Sequence, residues 1–475
     1  MERRKSRPAL AEGARYADTG SPRGVGRAGR EWPGSDDRRR YLIRYSHDFM
    51  PFTVARASGA WVETVDGRRI LDFTSGQICS TLGHNHPRIV EAVERSLREA
   101  VHLNSWMISE PVLALADRLV GITPQGLDKA MLVSTGGEAN EIALRMAKMG
   151  TGRFEVVGLT KSWHGLQAGV ATFNLAGGHA GYGPMMPGAF ALPAPYAYHC
   201  PIRHCDPEGG CDCSCLEAGF EMIDQQSVGS LCAVIAEPVL SAGGIIVPPR
   251  DYFRRMRELC DERGMLFILD EAQTGFGRLG SMFGFELYEV VPDLLSVSKT
   301  LGGGVPLGAV LSSSGLEENC YEKGFMHVTS HVSDPMPAAA GLAVIDTIEE
   351  EGLVDRARER GEHLMRRLRE LQDRHEQIGE VRGMGLLVGV ELVESRDGRT
   401  PAVEFGAAVS EECLRRGLSM NIVRSTGGLA NCLRMAPPLS VTEEEIDAAI
   451  GILDKAISVT LDQRAALLTP RIPPS

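Results

Sequence analysis

Short apolar runs alternate with longer amphipathic stretches through the middle of the chain. The runs at 130–133, 154–159, 231–236, 266–269, 294–297 and 308–312 carry few polar residues. Runs of this kind read as strands buried on both faces, and the helical segments between them give the βαβ signature of a mainly parallel sheet. Upstream, the alternation at 60–65 followed by Asp66-Gly67 predicts a hairpin, and Pro87 leads a predicted helix over 88–100. From about 338 the pattern changes. A long charged helix over 341–377 is followed by a strand over 385–392, a helix over 404–416, an apolar strand holding Arg434 and a last helix over 442–460.

The expected fold class is therefore α/β. The expected divisions are a disordered basic tail (1–45), an N-terminal segment packing with the small domain (46–100), a large domain (101–337), a small α+β C-terminal domain (338–465) and a second tail (466–475). Residues 1–45 carry 12 Lys/Arg against 6 Asp/Glu, net +6, so the remainder carries −18 within a total of −12. That balance argues against a nucleic-acid partner, and no apolar run approaches the ~18 residues that span a membrane. The tail's six acids and scattered glycines suit a transit peptide poorly and no h-region follows for secretion, so a cytoplasmic location is expected, with organelle import as the alternative.

Four stretches carry candidate chemistry. Asp293–Gly304 is an apolar run delivering Lys299 into a glycine-rich turn, with no acid beside it in the sequence. Desolvation there favours the neutral amine that a Schiff-base nucleophile needs. The run at 265–269 ends on Asp270, at the carboxyl end of a central strand, where α/β sheets bind ligands. Such a carboxylate suits a protonated pyridine nitrogen. Thr135-Gly136-Gly137 opens a helix whose backbone N–H groups suit a phosphate. Trp163, in Ser162-Trp163-His164-Gly165, offers a face to a flat ring.

Together these stretches resemble the class III aminotransferases, pyridoxal-phosphate enzymes of fold type I, from about residue 45 to residue 460. Asp72–Gln77, Ser162–Gly165 and His331-Val332-Ser333-Asp334-Pro335 resemble the 2,2-dialkylglycine decarboxylase branch most closely. The resemblance implies pyridoxal 5'-phosphate held by Thr135, Gly136, Gly137, Trp163, Asp270, Gln273, Lys299 and the partner-directed Ser330. It implies catalytic roles for Lys299, Gln77, Arg434 and Trp163, with Arg434 clamping a substrate carboxylate and Gln77 holding the carboxylate that departs. It further implies K+ or Na+ held by oxygens of Leu103, Ser105, Ser330, Val332 and Asp334, and a homodimer or homotetramer acting on small amino and 2-oxo acids. The activity expected is decarboxylation-coupled transamination of 2,2-dialkylglycines with pyruvate. The alternative is an ω-aminotransferase that releases no carbon dioxide, in a pocket reshaped by Asn104, Trp106 and Ala242. A non-catalytic protein of the same fold is disfavoured by the intact Lys299, Asp270 and phosphate turn.

Of 11 cysteines, five crowd into 200–215, with His199 and His204 nearby. The odd total points to reduced thiols, and zinc is one reading of the cluster. Because Cys-x-Cys-x-Cys departs from the usual Cys-x2-Cys spacing, the segment is expected to be a surface loop.

Overall fold

The computed structural model describes residues 37–44, 49–177, 183–200, 202, 205, 211–426 and 429–468. Two units are distinguished, 1–53 and 54–475. The described part of the first contains a single-turn 3-10 helix, Asp37–Tyr41. Nearly all of the expected N-terminal tail lies outside the described residues.

The second unit opens with the predicted hairpin. Strands β1 (Val54–Ser58), β2 (Trp61–Thr64) and β3 (Arg69–Asp72) form an antiparallel meander. The central sheet has seven strands: β4 (Lys129–Val133), β5 (Glu155–Leu159), β6 (Ala189–Leu192), β7 (Leu231–Ala236), β8 (Leu266–Glu271), β9 (Leu294–Val297) and β10 (Gly308–Ser312). Their order is β4-β10-β9-β8-β7-β5-β6. Pairing is parallel from β9 through β6, while β10 runs antiparallel to both β9 and β4. Strands β5, β7, β9 and β10 are buried at every position, in keeping with a sheet covered on both faces. Strand β6 escapes the sequence pattern because it is a short, partly exposed edge strand.

Past residue 334 the expected single long helix is two, Pro335–Glu350 and Leu353–Arg374. The break is Gly352 at φ +61°, a left-handed conformation that glycine adopts without strain. Likewise the expected strand at 385–392 is a hairpin of β11 (Ile378–Met384) and β12 (Leu387–Leu392), turning at Gly385. The short strand β13 (Leu418–Ser419) pairs in parallel with β3, joining N-terminal and C-terminal segments. Strands β14 (Asn421–Thr426) and β15 (Leu429–Met435) complete a four-stranded sheet in the order β11-β12-β15-β14. Among the described residues no helix is long and apolar enough to cross a membrane.

Candidate active site

The predicted residues converge where β8, β9 and β15 end. Lys299 leaves β9 at φ +46° and starts a short 3-10 turn, Lys299–Gly302. Its neighbours fix that turn: Ser298 Oγ donates to the Leu307 carbonyl (2.9 Å), and Thr300 Oγ1 bonds to Thr81 Oγ1 (3.0 Å). Burial lowers the pKa of the Lys299 amine, although part of the residue stays accessible, and the Asp270 carboxylate opposes that shift. Sequence reading finds no acid beside Lys299; the fold supplies one from the neighbouring strand.

Asp270 is buried and held from three sides. Its Oδ2 accepts from Asn140 Nδ2 (2.7 Å) and lies 2.8 Å from His164 Nδ1, while Oδ1 accepts from the Ala272 N–H (3.0 Å). Asn140 also donates to the His164 carbonyl (2.9 Å). Neither Asn140 nor His164 is singled out by sequence as a site residue. The one clue is a polar residue on the apolar face of the helix Gly136–Thr151, where most interior positions are aliphatic.

That helix begins at the expected phosphate turn. Thr135 caps it, accepting from the Glu138 N–H (3.2 Å), and Glu138 Oε2 accepts from the Ser134 N–H (3.0 Å), a reciprocal cap. A Cβ on Gly136 would stand 3.0 Å from Ala272 Cβ and 3.2 Å from Ser298 Cβ. Only glycine lets the helix start fit between the strand ends that carry Asp270 and Lys299.

On the opposite flank, half-buried Trp163 donates its backbone N–H to Glu237 Oε1 (2.8 Å), and Glu237 Oε2 accepts from the Ser241 N–H (3.3 Å). Burial raises Glu237 to about 7. Ser241 Oγ in turn accepts from Arg434 Nη1 (3.2 Å), which also reaches Gln273 Oε1 (3.3 Å). Thus Gln273, expected at the cofactor, engages Arg434. Arg434 Nε is enclosed without a partner, burial lowers the guanidinium pKa to about 10, and the described residues give it no ion-pair partner.

Gln77 lies in a loop braced by Asp72, whose oxygens accept from Thr74 N (2.9 Å) and Gly76 N (2.7 Å) and face His84 Nε2 (2.8 Å). The loop is bolted to the chain just past Arg434: Ser75 Oγ donates to the Ala436 carbonyl and Ala436 N–H to the Phe73 carbonyl, each at 2.7 Å. Gln77 itself is exposed in the single chain.

The residues implied for an alkali cation cluster differently from a ready oxygen cage. Asp334 precedes the helix Pro335–Glu350, and its oxygens each lie 2.6 Å from an imidazole, His102 Nδ1 and His331 Nδ1. Ser105 Oγ donates to the Thr329 carbonyl (3.4 Å), and the N-cap of the following helix is Ser109. Leu103 and Val332 are partly buried and Ser330 is exposed. Thr329 Oγ1, one residue before Ser330, bonds to Glu138 Oε1 (2.9 Å) beside the phosphate turn.

Residues 43–457 match the family model for class III aminotransferases. The chain is 46% identical to an uncharacterised aminotransferase of Schizosaccharomyces pombe, over 88% of this chain and 93% of that protein. It is 32% identical to the acetylornithine aminotransferase of Caldanaerobacter subterraneus subsp. tengcongensis, over 88% of this chain and 98% of that one. An amine transaminase from an uncultivated Pseudomonas species, solved in its PLP-bound form, superposes with a TM-score of 0.80 at 30% identity, covering 89% of this chain and 98% of that one. The chain belongs to the class III aminotransferase family and has the fold type I architecture. It is a pyridoxal-phosphate-dependent enzyme of that class; a particular closeness to the dialkylglycine decarboxylase branch does not emerge.

The residues fit the cofactor on structural grounds. A glycine-tight helix start suits its phosphate, a buried carboxylate held by His164 and Asn140 suits its ring nitrogen, and a desolvated amine suits its aldehyde.

Proposed function

We propose that this enzyme transfers an amino group between an amino donor and a small 2-oxo acid such as pyruvate, without releasing carbon dioxide. One observation carries the choice of carboxylate substrates: the Arg434 guanidinium is desolvated and, among the described residues, is bonded only to the neutral oxygens of Ser241 and Gln273 and keeps an enclosed Nε without a partner. Burying a cation this way is costly unless a carboxylate arrives, and a planar carboxylate can take two N–H groups of the fork at once. When bound, pyridoxal phosphate supplies an electron sink for charge developing at the donor carbon. Asp270, ordered by His164 and Asn140, keeps negative charge at the ring-nitrogen end. Lys299, its amine desolvated, takes up and returns the proton at Nζ. Trp163 supplies a face, and Glu237 fixes both Trp163 and the Ser241 segment without adding full negative charge near Arg434 at or below neutral pH.

The test is Arg434→Ala. Loss of one charge-assisted contact of about 2–4 kcal/mol should cut kcat/KM for pyruvate roughly 30- to 10³-fold. The half-reaction of an amine donor that lacks a carboxylate should change less than about threefold. Equal losses in both would remove Arg434 as the carboxylate clamp.

A second reading is decarboxylation-coupled transamination of 2,2-dialkylglycines, and Gln77 favours it. Its amide has no hydrogen-bond partner among the described residues, on a loop tied to both the Lys299 turn and the Arg434 strand. A neutral amide suits a departing carboxylate, because strong ground-state attraction would oppose loss of its charge. Carbon dioxide release from 2-aminoisobutyrate separates the two readings. In both, we propose a homodimer or larger assembly in which exposed Ser330 faces the partner's cofactor phosphate; an active monomer in sedimentation would refute this.

A further inference from the structure

From the end of β6 into the first turn of the helix Ser214–Gln226 the chain brings five thiols together, although the sequence spacing suggests an ordinary loop. Cys211 is the hub: its sulfur makes side-chain contacts with Cys205, Cys213 and Cys215, and its Sγ accepts from the Cys213 N–H at 3.4 Å. Cys205 also contacts Cys200. The ligating atoms of Cys205, Cys211 and Asp212 lie within 4.8 Å of one another, but the Asp212 carboxylate is committed to Ser214, accepting from its N–H (3.1 Å) and hydroxyl (2.8 Å). Thiols are weak hydrogen-bond partners, so their mutual contacts give little reason to gather on one hub. None of these cysteines is disulfide-bonded.

We infer that Cys205, Cys211, Cys213 and Cys215 form a structural tetrathiolate site for a soft, tetrahedral divalent ion of the zinc class. Cys205 and Cys211 are in ligating range of each other, with Cys213 and Cys215 beside Cys211, and four thiolates are the donor set that a closed zinc site requires once drawn onto one ion. Cys213 is the N-cap of a 13-residue helix and Cys215 lies in its first turn, so regular backbone holds both side chains at the site. Cys215 is buried and Cys213 packs against the main core, so the ion would be anchored to the body of the protein. Nearby His199 is spoken for: its Nε2 lies 2.8 Å from Glu391 Oε1. His204 lies outside the described residues.

The site has a mechanical consequence. The segment entering it carries Tyr196 and His199, both of which bond to Glu391 of β12. Glu391 pairs with Arg382 (2.7 Å), and Arg382 donates to the Gly244 carbonyl (2.6 Å from Nη2), in the turn that also carries Ser241 and hence Arg434. A metal here would brace the small sheet against the wall of the substrate pocket while staying outside the chemistry.

The experiment is metal analysis of the holoenzyme purified from zinc-containing medium without chelators, alongside Cys211→Ser. About one zinc per chain is expected in the unmodified protein and less than about a tenth in the variant. Should the variant fail to fold, cobalt exchanged into the unmodified protein decides the matter: tetrahedral thiolate ligation predicts thiolate-to-cobalt charge-transfer bands together with visible d–d bands. An unmodified protein that holds no zinc as isolated and takes up none after reduction and titration would overturn the site. So would alkylation mapping, under non-reducing conditions, that finds disulfides among the five cysteines, since that result assigns the cluster to redox chemistry.

Discussion

The Asp270–Lys299 pole and the pole of Gln77 and Ser330 are built on different principles. At the first, every functional atom is fixed by the chain's own core: Asp270 is held by a helix side chain, a histidine and a backbone N–H, and Lys299 sits in a turn tied at both neighbouring residues. At the second, the backbone is braced while the side chains are open. Asp72 holds the Gln77 loop, yet the Gln77 amide and Ser330 are exposed within the single chain. The first pole thus rests on strand ends that the fold cannot move, whereas the side chains proposed to choose among reactions stand on a braced but open backbone.

The largest way to test that division is Lys299→Ala. Turnover should fall by at least about 10³-fold while the folded protein still retains cofactor non-covalently, because the phosphate and ring contacts come from other residues. Dialysis followed by cofactor absorbance and a turnover assay checks both halves. A variant that keeps even about a tenth of normal turnover would mean that the rigid pole does not hold the nucleophile.

The Gln77 pole gives the next largest and the sharpest effect. In the non-decarboxylating reading, Gln77→Ala should change the half-reaction with L-alanine by less than about tenfold, and 2-aminoisobutyrate should release no carbon dioxide with either protein. In the decarboxylating reading, carbon dioxide release should fall roughly 10²- to 10³-fold while the L-alanine reaction suffers less, since alanine places its carboxylate on Arg434. Single-turnover measurements with both donors decide between them.

The same contrast explains what was legible in the sequence. Lys299, Asp270 and Gly136 stand out because each interrupts a buried run or opens a helix, and burial imposes a pattern along the chain. Strands 231–236, 294–297 and 308–312 come through with their observed limits for the same reason. The residues missed are those whose partners are remote in sequence. Asn140 and Asp270 are 130 positions apart, and His102 and Asp334 are 232 apart. Nothing local announces such pairs. The antiparallel setting of β10 is likewise a matter of topology, and the cysteine hub was obscured because spacing along the chain does not report distance across a loop.

The smallest expected effect comes from two buried carboxyls near the rigid pole, Glu237 and Glu271. Burial raises Glu237 and Glu271 from 4.5 to about 7 each, with Asp270 adding to the shift at Glu237 and the Gly284 and Phe285 N–H groups opposing it at Glu271. Folded-state pKa values above the unfolded ones mean that the folded protein binds these protons more tightly. The stabilisation is therefore fully present below pH 4.5 and is lost as pH rises through about 7. The melting temperature should accordingly fall by a few degrees, on the order of 2–6 °C, between about pH 5.5 and 7.5. In Glu237→Gln the neutral amide replaces one titrating group, so the fall should be roughly halved, with the variant closer to or above the unmodified protein at high pH. Thermal scans of both proteins across that range check the sign as well as the size. A variant with an unchanged slope would show that Glu237 is already ionised in the folded protein, and that full negative charge stands near the Arg434 clamp.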